Sequence, residues 1–118
     1  MLMPRSTPAD VAALLPLPPA VFHILVSLAS RDAHGYAIMQ EVAERAGVRL
    51  GPGTLYTTIR RLLDEGLVVE RRSLPDDDKD DPRRRYYRLT AYGRAAARAE
   101  AARLNELVRQ ARTMIPSK

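Results

Sequence analysis

The chain contains no cysteine and no tryptophan, a single phenylalanine beside five tyrosines, and only two histidines, His23 and His34. Without cysteine there is no disulfide and no thiolate metal site. Two histidines read better as a partly buried helix residue (His23) and a helix-start residue (His34) than as ligands, so no metal is expected. Aromatics make up 5% of the 118 residues, so the core must be built from Leu, Val, Ile and Ala. No apolar run approaches the roughly 20 residues of a membrane-spanning helix. The opening "MLMPRSTPADVAALLPLPP" interrupts its short apolar patch with prolines and does not read as a signal peptide. The expected location is therefore the cytoplasm. Also missing are a paired-carboxylate, Ser-His-Asp or phosphate-loop pattern. "GPGTLY" has two glycines but no Lys-Thr after them. No enzyme and no cofactor are expected.

What is present suits one compact domain: 46% of the residues are hydrophobic, in a length with little room for a second unit. Nineteen Lys and Arg stand against 14 Asp and Glu, giving a net charge of +5 and a pI near 10.1. That balance favours a polyanionic partner, although many ordinary soluble proteins share it.

Along the chain, "ADVAALL" (Ala9 to Leu15) can form a short helix after a polar start. "LPPAVFHILVSLASR" opens on prolines, which suit a helix start, and then repeats Val21, Phe22, Leu25 and Leu28 at helical spacing. "HGYAIMQEVAERAGV" gives a second helix, with Tyr36, Met39, Val42, Ala43 and Ala46 as its apolar face and Gly47 as its stop. In the third, Gly51 stands at the cap and Pro52 in the first turn. Leu55, Ile59, Leu62 and Leu63 face inward, and Gly66 ends it. "LVVERR" and "RRRYYRLT" read as strands of a hairpin around "SLPDDDKDDP", which cannot form regular structure. The Ala- and Arg-rich "AYGRAAARAEAARLNELVRQARTMI" is a long helix. The expected fold is mainly α: a winged helix-turn-helix of three helices and a two-stranded wing, plus a long C-terminal dimerisation helix. The divisions are an arm or short helix over residues 1–16, a DNA-binding domain over 17–90 and a dimerisation helix over 91–118.

In that arrangement the third helix enters the DNA major groove. Its hidden side must be aliphatic, and its outer side must carry donors, methyl groups and cations. Thr57, Arg60 and Asp64 share a face opposite Leu55, Ile59 and Leu62. Thr54 and Arg61 flank it, and Tyr56 stands at its edge with a hydroxyl able to reach a phosphate. A plain surface helix with Arg60–Asp64 and Arg61–Glu65 pairs would show the same pattern. Arg84 and Arg85, on the strand returning from the wing tip, are candidate backbone clamps; strand alternation sends them to opposite faces, so one of them reaches DNA. Tyr36, near a helix start, is another clamp. The acidic run from Asp76 to Asp81 is either a solvated loop or a competitor with phosphate for the neighbouring arginines.

Three motifs resemble the PadR family of transcriptional regulators: "HGYAI" from His34, "LGPGTLYTTIRRLLDEGLV" from Leu50, and "RRRYYRLTAYGR" from Arg83 to Arg94. The resemblance runs from about Leu17 to Arg103 and is to the short members, with one helix after the wing. It implies a dimeric winged-helix repressor. It implies DNA contacts from Tyr36, Thr54, Tyr56, Thr57, Arg60 and the wing arginines. Many relatives carry Pro where this chain has Thr57 and Ser or Asn where it has Gly51; the first departure bears on base contacts, the second on the cap. Short members can bind flat hydrophobic ligands between subunits. Leu104 and Val108 would line such a pocket, although this chain has no Trp to stack there.

Ala97, Ala101, Leu104, Val108, Ala111 and Ile115 recur by four and three along the last helix, the spacing of a dimer seam. The same stripe can instead pack on its own domain's first helix. The expected partners are double-stranded DNA at a pseudo-palindromic operator, a second copy of the chain and a small hydrophobic effector, with no membrane. The alternative is a winged-helix module that binds another protein through its C-terminal helix.

Overall fold

The computed structural model describes residues 7–71 and 85–117. The acidic run and Arg84 lie outside them. Among the described residues the order is α1 (Pro8–Ala12), α2 (Pro19–Ser30), β1 (Ala33–His34), α3 (Gly35–Ala46), α4 (Pro52–Asp64), β2 (Val68–Arg71), β3 (Tyr86–Leu89) and α5 (Ala91–Met114).

Local chemistry sets the ends. Thr7, His34 and Thr90 N-cap α1, α3 and α5, accepting from the N–H groups of Asp10, Ala37 and Gly93. Proline occupies the first turn of α1, α2 and α4, where its missing N–H leaves no bond unmade. Gly51 caps α4 with no side-chain bond. Gly47 (φ 68°) closes α3 and Gly66 (φ 78°) turns α4 into β2, both in the left-handed region that favours glycine.

The core lies between α2, α3, α4 and one face of the sheet. It holds Val21, Ile24, Leu25 and Leu28 from α2, Ile38 and Val42 from α3, and Leu55, Ile59 and Leu62 from α4. Burying each such side chain stabilises by roughly 1.5–3 kcal/mol. The inner face of α3 differs from the sequence expectation. Gly35, Ile38 and Val42 face inward at spacings of three and four, Met39, Ala43 and Ala46 are half-buried, and Tyr36 is 59% exposed. One position past Gly35 is about 100° around the helix, which turns Tyr36 to solvent.

The sheet has three antiparallel strands in the order β1-β3-β2, one more than the hairpin expected. The extra strand is the two residues Ala33 and His34, paired with Tyr87 and Tyr86. Ala33, Val68, Tyr87 and Leu89 face the core. On the other face stand His34, Val69, Arg71, Tyr86 and Arg88, as strand alternation requires. Asp32, just before β1, accepts from Arg71 at 2.7 Å and from Arg88 at 3.0 Å, tying all three strands together at the base of the wing.

α5 packs only its first turns. Gly93 lies so close to the Leu67 carbonyl that a Cβ would overlap it. Ala96 and Glu100 follow on the buried face, and no residue from 101 to 117 is buried. Glu100 accepts from the Leu17 N–H at 3.3 Å and from Arg103 at 2.7 and 2.8 Å, which fixes the approach to α2 against α5. The remainder of α5 projects from the packed body. No helix of the described residues is long and apolar enough to cross a membrane.

Candidate nucleic-acid interface

The two faces of α4 are sharply divided. Leu55, Ile59 and Leu62 are at most 2% exposed, while Thr54, Tyr56, Thr57, Arg60, Arg61 and Asp64 all stand at the surface. Of the two ion pairs that would make this an ordinary surface helix, one forms: Arg61 Nε donates to Glu65 at 2.9 Å. Arg60 has no ion pair among the described residues. Thr57 and Arg60 present a hydroxyl, a methyl and a guanidinium that no described residue engages, the groups that read base edges in a major groove.

Tyr56 of α4 reaches the start of α3, one residue from Tyr36. Tyr56, 41% exposed, lays the end of its ring against Gly35 at the first turn of α3. Tyr36 is the next residue, its hydroxyl accepting from Gln40 at 3.4 Å. The Tyr56 phenol thus stands at a helix start, where backbone N–H groups and the positive end of the helix dipole favour an anion.

The strand register decides the side of Arg85. It shares a face with Tyr87 and Glu70, toward α4, and lies 3.6 Å from the Glu70 carboxylate with its side chain 58% exposed. Arg71 and Arg88 point to the opposite face and are held by Asp32, whose pKa is lowered by hydrogen bonds from Arg88 first and Arg71 second. Among the described wing cations, Arg85 is the one placed beside α4. Asp32 and its two arginines were not found by sequence reasoning, because the contacts join positions 39 and 56 residues apart.

The expected dimer seam falls in two parts. Ala97 packs against its own domain's core and Leu104 is half-buried, whereas Ala101, Val108, Ala111 and Ile115 are exposed, Ile115 just beyond the helix end. Leu107 (46%) and Met114 (80%) extend the exposed apolar side beside Val108 (47%) and Ile115 (67%). The helical wheel places 104, 107, 108, 111, 114 and 115 on one side; Leu107 and Met114 were missed because only one register of the stripe was followed. A cleft of about 250 Å³ lies elsewhere, lined by Ser27, Ser30, Arg31, Ala33, Ala37 and Glu41. It does not touch Leu104 or Val108.

Residues 24–99 match the model of the transcriptional regulator PadR-like family. A transcriptional regulator of Mycobacterium tuberculosis is 41% identical over 88 residues, covering 75% of this chain and 78% of its own. The crystal structure of a PadR family transcription regulator from Clostridium difficile superposes with a TM-score of 0.73 at 23% identity, over 84% of this chain and 100% of that one. That of Bacillus subtilis PadR in complex with operator DNA superposes with a TM-score of 0.58 at 23% identity, over 67% of this chain and 45% of that one. The two structures speak for the fold.

Proposed function

The chain belongs to the PadR-like family of transcriptional regulators, and from that membership we propose that it is a sequence-specific, dimeric repressor that binds double-stranded DNA. Residues 17–90 read the operator and α5 joins the protomers. The observation that carries this reading is the division of α4 into a sealed aliphatic face and an open face bearing Thr57 and Arg60, the latter without an ion pair among the described residues. Thr54, Thr57 and Arg60 address base edges; Tyr36, Tyr56, Arg61 and Arg85 hold the backbone, and Arg84 is assigned the same task from sequence alone. The repressor works in the cytoplasm. A homologous structure solved with operator DNA supports the proposed partner.

Dimerisation through α5 is supported by its outer half and the residue after it, where Leu107, Val108, Met114 and Ile115 stand exposed with no described residue of the chain covering them. A second copy covers this stripe and sets two α4 helices about one turn of DNA apart, the requirement of a pseudo-palindromic operator. A hydrophobic effector between the protomers, against Leu104 and Val108, would bias that spacing.

Footprinting on the DNA upstream of the chain's own gene tests the reading, with random duplex as competitor. A protected pseudo-palindrome that survives competition is the expected result. The same apolar end of α5 would serve a protein-binding module. In that case no protected site appears, and binding to duplex shows no preference and little dependence on salt.

A further inference from the structure

Tyr87 is an unusual member of the core. It is 5% exposed on the central strand, yet its hydroxyl makes no hydrogen bond to a described residue and is not sealed from solvent. Buried tyrosines usually find a partner for that group.

The register sets its neighbours: Glu70 is its cross-strand partner on β2, and Arg85 lies two residues earlier on the same face. Tyr56 sets its own hydroxyl against Gly35: a Cβ there would stand 2.5 Å from that oxygen. The Tyr56 hydroxyl stands beside the start of the 12-residue α3, and Tyr87 pairs with Ala33, two residues before that start. The first N–H groups of a helix have no partner within it, and the His34 cap occupies only that of Ala37. Among the described residues Glu70 is the carboxylate beside Tyr87, and Arg85 stands 3.6 Å from it. Burial first, then Glu70 and Tyr56, raise the pKa of Tyr87 above its ordinary 10.0, so at neutral pH the hydroxyl keeps its proton and donates.

We infer that Tyr87 is a DNA-backbone contact: its hydroxyl joins that of Tyr56 and the first-turn amides of α3 to hold one phosphodiester where α3, α4 and the wing meet. The inference rests on the DNA-binding reading above and adds to it a residue from inside the sheet. The groups that hold the anion are donors and none of them is a charged side chain; Glu70, the carboxylate beside them, is paired with Arg85. Such a seat recognises a phosphate without reading sequence. It also links the pitch of the wing to the recognition helix, since β3 and α4 grip the same anion.

Tyr87→Phe keeps the ring and deletes only the hydroxyl. Its affinity for a mixed-sequence duplex is measured across a salt series beside the wild type and Arg85→Ala. Tyr87→Phe weakens binding about tenfold with an unchanged slope of log affinity against log salt, because a neutral hydroxyl displaces no counterion. Arg85→Ala lowers that slope by about one. The thermal midpoint of Tyr87→Phe stays at the wild-type value, since the hydroxyl has no hydrogen bond to a described residue to lose; a lowered midpoint would show that it holds the fold, and would overturn the inference. Wild-type affinity in Tyr87→Phe overturns it as well and leaves the DNA-binding reading intact. A wild-type chain that binds no duplex overturns both. Inorganic phosphate at matched ionic strength, followed by tyrosine fluorescence, separates a duplex backbone from a free anion. No saturation is expected. Saturable binding that Tyr87→Phe weakens would make this a free-anion site instead.

Discussion

Gly35 gives Tyr56 its place: the ring of a residue on α4 ends in the space that a side chain at the start of α3 would fill, 2.5 Å from where a Cβ would stand. The contact couples the two helices of the helix-turn-helix without a hydrogen bond. Gly35→Ala is expected to separate folding from binding. The end of a tyrosine ring can swing aside, and alanine suits a helix better than glycine by up to about 1 kcal/mol, so the urea midpoint should change little. The displaced hydroxyl should weaken binding on specific and random duplex alike, by about tenfold. A variant that binds as the wild type would free Tyr56 from the backbone contacts.

Gly93→Ala should behave in the opposite way. There the Cβ meets the backbone carbonyl of Leu67 and the Leu89 side chain, neither the loose end of a surface group. α5 must lift from the start of β2 or the strand must shift. Loss of roughly 2–4 kcal/mol in chemical denaturation is expected. A loss below about 1 kcal/mol would mean that the junction between wing and α5 yields easily.

How much of this was legible in the sequence depends on the range of the interaction. The inner face of α4 could be read directly, because Leu55, Ile59 and Leu62 repeat at helical spacing between a proline and a glycine. α3 carries apolar residues on more than one side, so its orientation was misjudged, and Ile38 was passed over although it is fully buried. β1 is too short for any alternation to show; only its pairing with Tyr86 and Tyr87 makes it a strand. Glu100 reads as one more solvated charge in an Ala- and Arg-rich helix, and only the fold brings Leu17 to it. The positions of Tyr87 and Arg85 depend on register, which a short strand beside a long acidic loop does not reveal.

Glu100 predicts an acid limit to stability. Its pKa is lowered mainly by the Arg103 hydrogen bond and further by the Leu17 N–H, against the opposing effect of burial. A carboxyl whose folded value lies below the ordinary 4.5 contributes stability that is fully present above that value and is lost as pH falls through the folded one. Asp32, lowered by Arg88 and Arg71 from 3.8, adds the same sign in the same acid range. Glu100→Gln should lower the thermal midpoint at neutral pH and flatten its decline below the ordinary carboxyl value. A midpoint curve parallel to the wild type across that window would show that the carboxylate charge is irrelevant.

Val108 is 47% exposed on the projecting half of α5, so a glutamate there disturbs nothing within its own domain. In a dimer it places two charges in an apolar seam. Val108→Glu should sediment at the 13.2 kDa of a single chain, with an unchanged circular dichroism spectrum, while the wild type sediments at twice that mass. A Val108→Glu dimer would move the seam to another face.

The account stands or falls on what α4 reads. The most direct test is the affinity of Arg60→Ala for the footprinted upstream duplex and, in parallel, for a random duplex of equal length. The account predicts a loss of about 1–3 kcal/mol on the footprinted duplex, with relaxed preference at one base step and little change on random DNA. An equal loss on both duplexes would reduce Arg60 to a phosphate contact, and no loss on either would contradict the assignment of α4 as the reading helix.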